Sequence, residues 1–202
     1  GPDGSVYVMD HALGSWPVDG RIVQKFSPEG SPITVWGRFG YEPGQFRARN
    51  NIGGDVGPRN IGVSSAGDVY VTDPNSNRVL RCDQQGVFIA AWGEFGTGPG
   101  QFDLPGDVIA SSAGDVYVSD RRNGRIQVFS GDGSFLFAWG SVGLYGGSGD
   151  GELLRPVGLG SDRAGNVYVA DNANHRIQKF DSSGRYLAQG GMFGSGDGEF
   201  NY

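Results

Sequence analysis

The residues able to do chemistry are few. The chain has two histidines, His11 and His175, and one cysteine, Cys82, among 202 residues. Zinc needs several nitrogen or sulfur ligands converging on one point, and these three stand in unrelated contexts. The acidic turns Gly149-Asp150-Gly151-Glu152 and Gly196-Asp197-Gly198-Glu199 have the right atoms for calcium but not EF-hand spacing, and the same slot elsewhere reads Pro-Gly-Gln. Turn chemistry is the better account of them. No nucleophile stands with a base, so no catalytic residue, metal site or cofactor is assigned. The aromatic and cationic side chains suit binding instead: Trp16, Arg47, Arg49, Arg59, Arg121, Arg122 and Tyr145. Such residues anchor interfaces or stack on sugars.

What positions them is a repeat. Gly-x-Val-Tyr-Val-x-Asp occurs four times, anchored by Tyr7, Tyr70, Tyr117 and Tyr168. An Arg-led run follows each, starting at Arg21, Arg78, Arg125 and Arg176, then Trp36, Trp92, Trp139 or Gly190 before a Gly. The copies span approximately 1–46, 47–102, 103–153 and 154–202 of one segment, 1–202. Within a copy the apolar residues alternate in short runs between Gly-rich turns, with no helical period. Four strands are predicted: a (Ile61–Val63, Asp107–Ile109, Val157–Leu159), b (Val-Tyr-Val), c (the Arg-led run) and d (Ile33–Trp36, Val87–Trp92, Phe135–Trp139, Tyr186–Gln189). Four antiparallel strands per unit make a propeller blade.

Bulk properties agree. Gly is 38 residues and aromatics 12%, too aromatic for low-complexity disorder. The net charge of -6 disfavours nucleic acid as the default partner. No stretch has the length of a membrane span.

Asp171-Asn172-Ala173-Asn174-His175-Arg176-Ile177-Gln178-Lys179-Phe180, with Asn166-Val167-Tyr168-Val169 upstream and Gly196-Asp197-Gly198-Glu199-Phe200 downstream, resembles the NHL repeat. The resemblance implies an all-β propeller of NHL-type four-stranded antiparallel blades, usually a closed ring of six. About four blades are present here, beginning at a strand b, so an incomplete or open ring is expected, either part of a longer parent or an assembly covering its edges. Acidic Gly-rich NHL repeats also resemble those of secreted or surface bacterial proteins.

Repetition separates scaffold from site: a residue in every copy serves the blade, and a single-copy feature is a candidate for function. The strand-b Asp (Asp10, Asp73, Asp120, Asp171), the following Arg and the Trp are scaffold by this test. His175 belongs to the motif, and Cys82 replaces a buried Phe. The run Arg21–Phe26 has one residue more than its counterparts, so a β-bulge is expected there.

Three insertions stand out: His11–Pro17 in a b–c link, material within 47–59, and four residues around Leu144–Gly147. All lie in b–c or d-to-next-a links, which alternation of strand direction places on one face. Loops on a rigid scaffold are where binding residues concentrate. The favoured reading is a non-enzymatic scaffold recognising a protein, peptide or glycan through that face, with self-assembly through exposed edge strands as a further partner mode. A metal-dependent lyase- or lactonase-like propeller, completed by further blades, is the alternative the resemblance allows. RNA binding, known for some NHL domains, is the third.

Overall fold

In a computed structural model, residues 1–9, 22–47, 57–140 and 146–201 are described. The first sheet orders β1 (Val6–Met9), β2 (Val23–Phe26) and β3 (Pro32–Trp36). The second contains β4 (Ile61–Val63), β5 (Val69–Asp73), β6 (Arg78–Cys82) and β7 (Phe88–Trp92), and the third β8 (Pro105–Ala110), β9 (Val116–Asp120), β10 (Arg125–Phe129) and β11 (Phe135–Gly140). The fourth contains β12 (Pro156–Ser161), β13 (Val167–Asp171), β14 (Arg176–Phe180) and β15 (Tyr186–Gly190). Within these sheets every strand pairing is antiparallel and follows chain order, as the alternating pattern predicts. Inner strands β4, β8 and β12 pack in succession, so the blades form an open arc.

The core lies between blades. Strand-b valines point back toward the preceding blade and strand-b tyrosines point forward. One cluster joins Tyr70, Val79, Phe102 and Trp92 of the second repeat to Val108, Val116, Val118 and Phe129 of the third. The next joins Tyr117, Ile126, Leu153 and Trp139 to Val167, Val169 and Phe180. Each outer-strand Trp lies on the hairpin Gly of the following blade: Trp36 on Gly86, Trp92 on Gly133 and Trp139 on Gly184. A Cβ at Gly133 would stand 2.6 Å from the Trp92 ring, so only Gly admits the indole. Where no neighbour covers a blade, the same positions are open. Val6 is 52% exposed against 0% for Val69 and Val116, and Ile177 is 40% exposed against 0% for Ile126.

A bulge recurs in the c–d hairpin of every blade, skipping Ile33, Ile89, Leu136 and Leu187. Bulges blunt outer edge strands against pairing with other chains. It is therefore a feature of the repeat, and the extra residue of the first blade is not its cause. Counted back from Phe26, the β1–β2 register is unbroken, so Ile22, 1% exposed, stands where the other blades have Arg. Apart from the shared c–d bulge at Lys25/Phe26, no bulge occurs within Val23–Phe26, and Arg21 lies outside the described residues.

Candidate binding face

The repeated polar residues build a latch between blades. Asp120, fully buried at the end of β9, accepts hydrogen bonds from Asp103 N at 2.8 Å, Asn123 Nδ2 at 2.8 Å, Arg125 Nε at 2.9 Å and Gln127 Nε2 at 3.1 Å. Arg125 donates its other N–H groups to the carbonyls of Thr97, Gly98 and Gln101, and Asn123 donates to Gly96 O. The third blade thus clasps the loop arriving from the second. Asp171 repeats the arrangement with Leu154 N, Asn174, Arg176 and Gln178, and Arg176 holds the carbonyls of Ser148, Gly149 and Glu152. Asp73 has a reduced version, accepting from Arg47 N and Arg78 Nε at 3.3 Å, with Leu80 in the Gln place and Ser76 in the Asn place. Burial pushes the Asp73 and Asp120 carboxyls above the ordinary aspartate range, and these donors oppose it.

The motif position before Arg78, Arg125 and Arg176 is left-handed: Asn77 has φ 50°, Gly124 φ 65° and His175 φ 54°. Asn and Gly tolerate that conformation best, which explains why the slot varies while its geometry does not. His175 also meets the Phe193 ring edge-on at 4.9 Å between centroids.

The incoming loops are closed by a side chain. Gln101 Oε1 accepts from Gly98 N at 3.0 Å, and Glu152 Oε2 and Glu199 Oε2 accept from Gly149 N at 2.9 Å and Gly196 N at 2.8 Å. The glutamates of both acidic turns therefore do the work of the glutamine. Among the described residues no group of three or more His, Cys, Asp or Glu comes together as a metal site. Cys82 is buried in strand c, which pushes its thiol up to about 11.

Hydrogen bonds put the d-to-a and b–c links on one face. Arg122 N donates to Asp103 O, Ala173 N to Leu154 O, and Asn75 Nδ2 to Arg47 O. Of the residues singled out from the sequence, Arg47, Arg59, Arg121 and Arg122 are on this face, and Trp16, Arg49 and Tyr145 lie outside the described residues.

The four described arginines do not form one cluster. Arg59 and Arg121 both border β8. The Arg121 stem lies so near Gly106 that a Cβ there would meet its Cγ at 3.0 Å. Burial raises the Asp107 carboxyl, while hydrogen bonds from Leu159 N and Val108 N and the charge of Arg59 pull it down. Arg122, 61% exposed, faces Asp103 at 3.6 Å. Arg47 lies over the ring of Tyr41, 5.1 Å from its centroid.

Tyr41, 78% exposed, is a residue that the search for insertions missed. Its loop has the standard length, so only its type is unusual: the slot reads Thr97, Ser148 and Ser195 in the other copies. The single-copy test applied to substitutions as well as insertions finds it.

The family described as NHL repeat matches at residues 102–129 and 153–180, the third and fourth blades with their latches. NHL repeat-containing protein 3 of Homo sapiens is 36% identical over 187 residues, 91% of this chain and 37% of that protein. Protein lin-41 of Caenorhabditis elegans is 51% identical over 43 residues, 21% of this chain and 4% of that protein. The chain therefore spans well under half the length of these relatives. Among solved structures, virginiamycin B lyase from Staphylococcus aureus superposes with TM-score 0.59 at 15% identity, covering 92% of this chain and 51% of the lyase. At that identity the likeness is one of fold. Matched repeats, homologous sequence along most of its length and bladed architecture together place the chain in the NHL-repeat β-propeller family.

Proposed function

We propose that this propeller is a non-enzymatic recognition scaffold that takes a protein, peptide or glycan on the face bearing the b–c and d-to-a links. One observation carries the reading. The polar residues that recur from blade to blade are committed to latches, whereas single-copy aromatic and cationic residues of that face are presented to solvent, Tyr41 and Arg122 among the described ones. Such side chains give large contact area at low entropy cost on a rigid support. The net charge of -6 weighs against RNA, whose phosphates would meet an acidic surface beyond any local basic spot.

The test is a variant with Trp16, Arg47, Arg49 and Arg122 all changed to Ser, compared with the parent on peptide and glycan arrays. Ligands bound by the parent are expected to be lost by this variant. They are expected to be retained by a second variant changed in the opposite-face hairpins at Gln85 and Ser183. Ligands retained by the first variant, or lost by the second, would refute the assignment of the face.

A further inference from the structure

The junction between the first and second blades differs from the next one in three residues, Tyr41, Arg47 and Asn75, of which Arg47 touches the other two. In the later junction the loop residue Asp103 gives its carboxylate to Arg122 of the b–c link. In the earlier one the corresponding residues are Arg47 and Asn75, so the carboxylate is gone and the cation has moved onto the loop. Arg47 still performs the backbone task of its position, donating N–H to Asp73 Oδ2 at 3.3 Å, and its carbonyl accepts from Asn75 Nδ2 at 3.0 Å. Its backbone is thereby held on both sides, and the guanidinium lies against Tyr41. Among the described residues no carboxylate or carbonyl pairs with that guanidinium. A guanidinium stacked on an aromatic face keeps its edge N–H groups directed outward in a fixed fork, the geometry that takes a carboxylate through two parallel bonds.

We propose that Tyr41 and Arg47 form a carboxylate-binding site for an acidic peptide segment of a protein partner. The Arg122–Asp103 pair of the next junction is a guanidinium of this same face taking a carboxylate, and at Arg47 the carboxylate is supplied by the partner. The acidic total favours a ligand whose negative charge is local over a polyanion crossing the whole face. An aromatic or aliphatic neighbour of the carboxylate packs on the exposed ring of Tyr41. This assignment rests on the reading of the face as a recognition surface.

The chain itself supplies fold-compatible variants. Tyr41→Thr and Arg47→Asp write residues of the next junction into this one, where Thr97 and Asp103 already support the same loop. The probes are a Gly-Ser peptide carrying one Phe-Glu pair and its Phe-Gln twin, titrated at low salt while the Arg Nε–H resonances are followed by NMR. The Glu peptide is expected to shift the Arg47 resonance and to bind about tenfold more tightly than its twin, the scale of one charge-assisted pair. Arg47→Asp abolishes that difference, and Tyr41→Thr reduces it several-fold. Asp103→Asn releases Arg122 and creates a second, weaker site for the Glu peptide. The proposal is overturned if the Glu–Gln difference survives Arg47→Asp, or if heparin or poly(U) occupies Arg47 more tightly than the peptide. Glu-dependent binding that moves only Arg59 or Arg122 overturns this site and leaves the face assignment standing. Shifts confined to the opposite face remove both.

Discussion

Replacing Asp120 by Asn tests whether the repeat motif is an inter-blade latch or an ornament of sequence. The change preserves shape, so it opens no cavity, but the amide nitrogen must face a donor on one side, Asp103 N at 2.8 Å on Oδ1 or Asn123 Nδ2, Arg125 Nε and Gln127 Nε2 at 2.8, 2.9 and 3.1 Å on Oδ2. At least one buried donor loses its acceptor, and Arg125 keeps its charge beside a neutral amide. Counted singly, bonds to a charged group contribute about 1.5–3 kcal/mol each, which would sum to more than most domains can lose. The sum overstates the effect, because burial already opposes the ionised carboxylate, as its raised pKa records. Breaking a buried ion pair by removing one partner costs about 3–5 kcal/mol, and that is the expected loss. Urea unfolding followed by tryptophan fluorescence measures it, since Trp92 and Trp139 lie in the flanking junctions. The loop Glu94–Asp103 should also gain hydrogen exchange before the sheet does. A loss below about 1 kcal/mol, the scale of a surface ion pair, would refute the latch.

Other consequences are equally open to measurement. Gly133→Ala and Gly114→Ala share nearly the same backbone, φ +93° and +94°, but only the first sets a Cβ against Trp92. The second is expected to cost about 1–2 kcal/mol of strain, and the first a further 1–3 kcal/mol or so of overpacking; equal losses would show that the indole does not need the glycine. The Cys82 thiol, pushed up to about 11 by burial, should stay silent to a disulfide reagent at mildly alkaline pH and react once urea unfolds the chain. Asp162 and Asp181 are held down to about 2, chiefly by hydrogen bonds from the Asn166 and Ser183 side chains. A depressed carboxyl stabilises the fold above its ordinary value of 3.8 and ceases to as pH falls through about 2. Changing both to Asn should therefore lower stability near neutrality and make no difference in strong acid.

Much of the architecture was legible because a blade is local. The Val-Tyr-Val run alternates faces whatever surrounds it, and β5, β9 and β13 fall where the alternation puts them. The scaffold role of the strand-b Asp was legible too, since a residue kept in each copy must serve each copy. In the first blade the bulge expected over Arg21–Phe26 is absent from the β1–β2 pairing at Val23–Phe26, and Arg21 lies outside the described residues. An extra residue can be absorbed inside a strand or at its end, and only the pairing of Val6 with Phe26 shows that the register runs unbroken to Val23. Loop length does not reveal Tyr41, because its loop is as long as its counterpart at Thr97.

Composition and repeat alone thus determined the strands, their order, the blade as the unit and the residues that every blade requires, for these depend on neighbours close along the chain. What only the folded molecule decided is which blade each of them serves. Asp120 holds a loop that begins in the preceding blade, Trp92 lies on a glycine of the following one, and Arg47 turns onto Tyr41. Those partnerships arise where separate sheets meet, and periodicity within one sheet does not specify which side chains face each other across that gap.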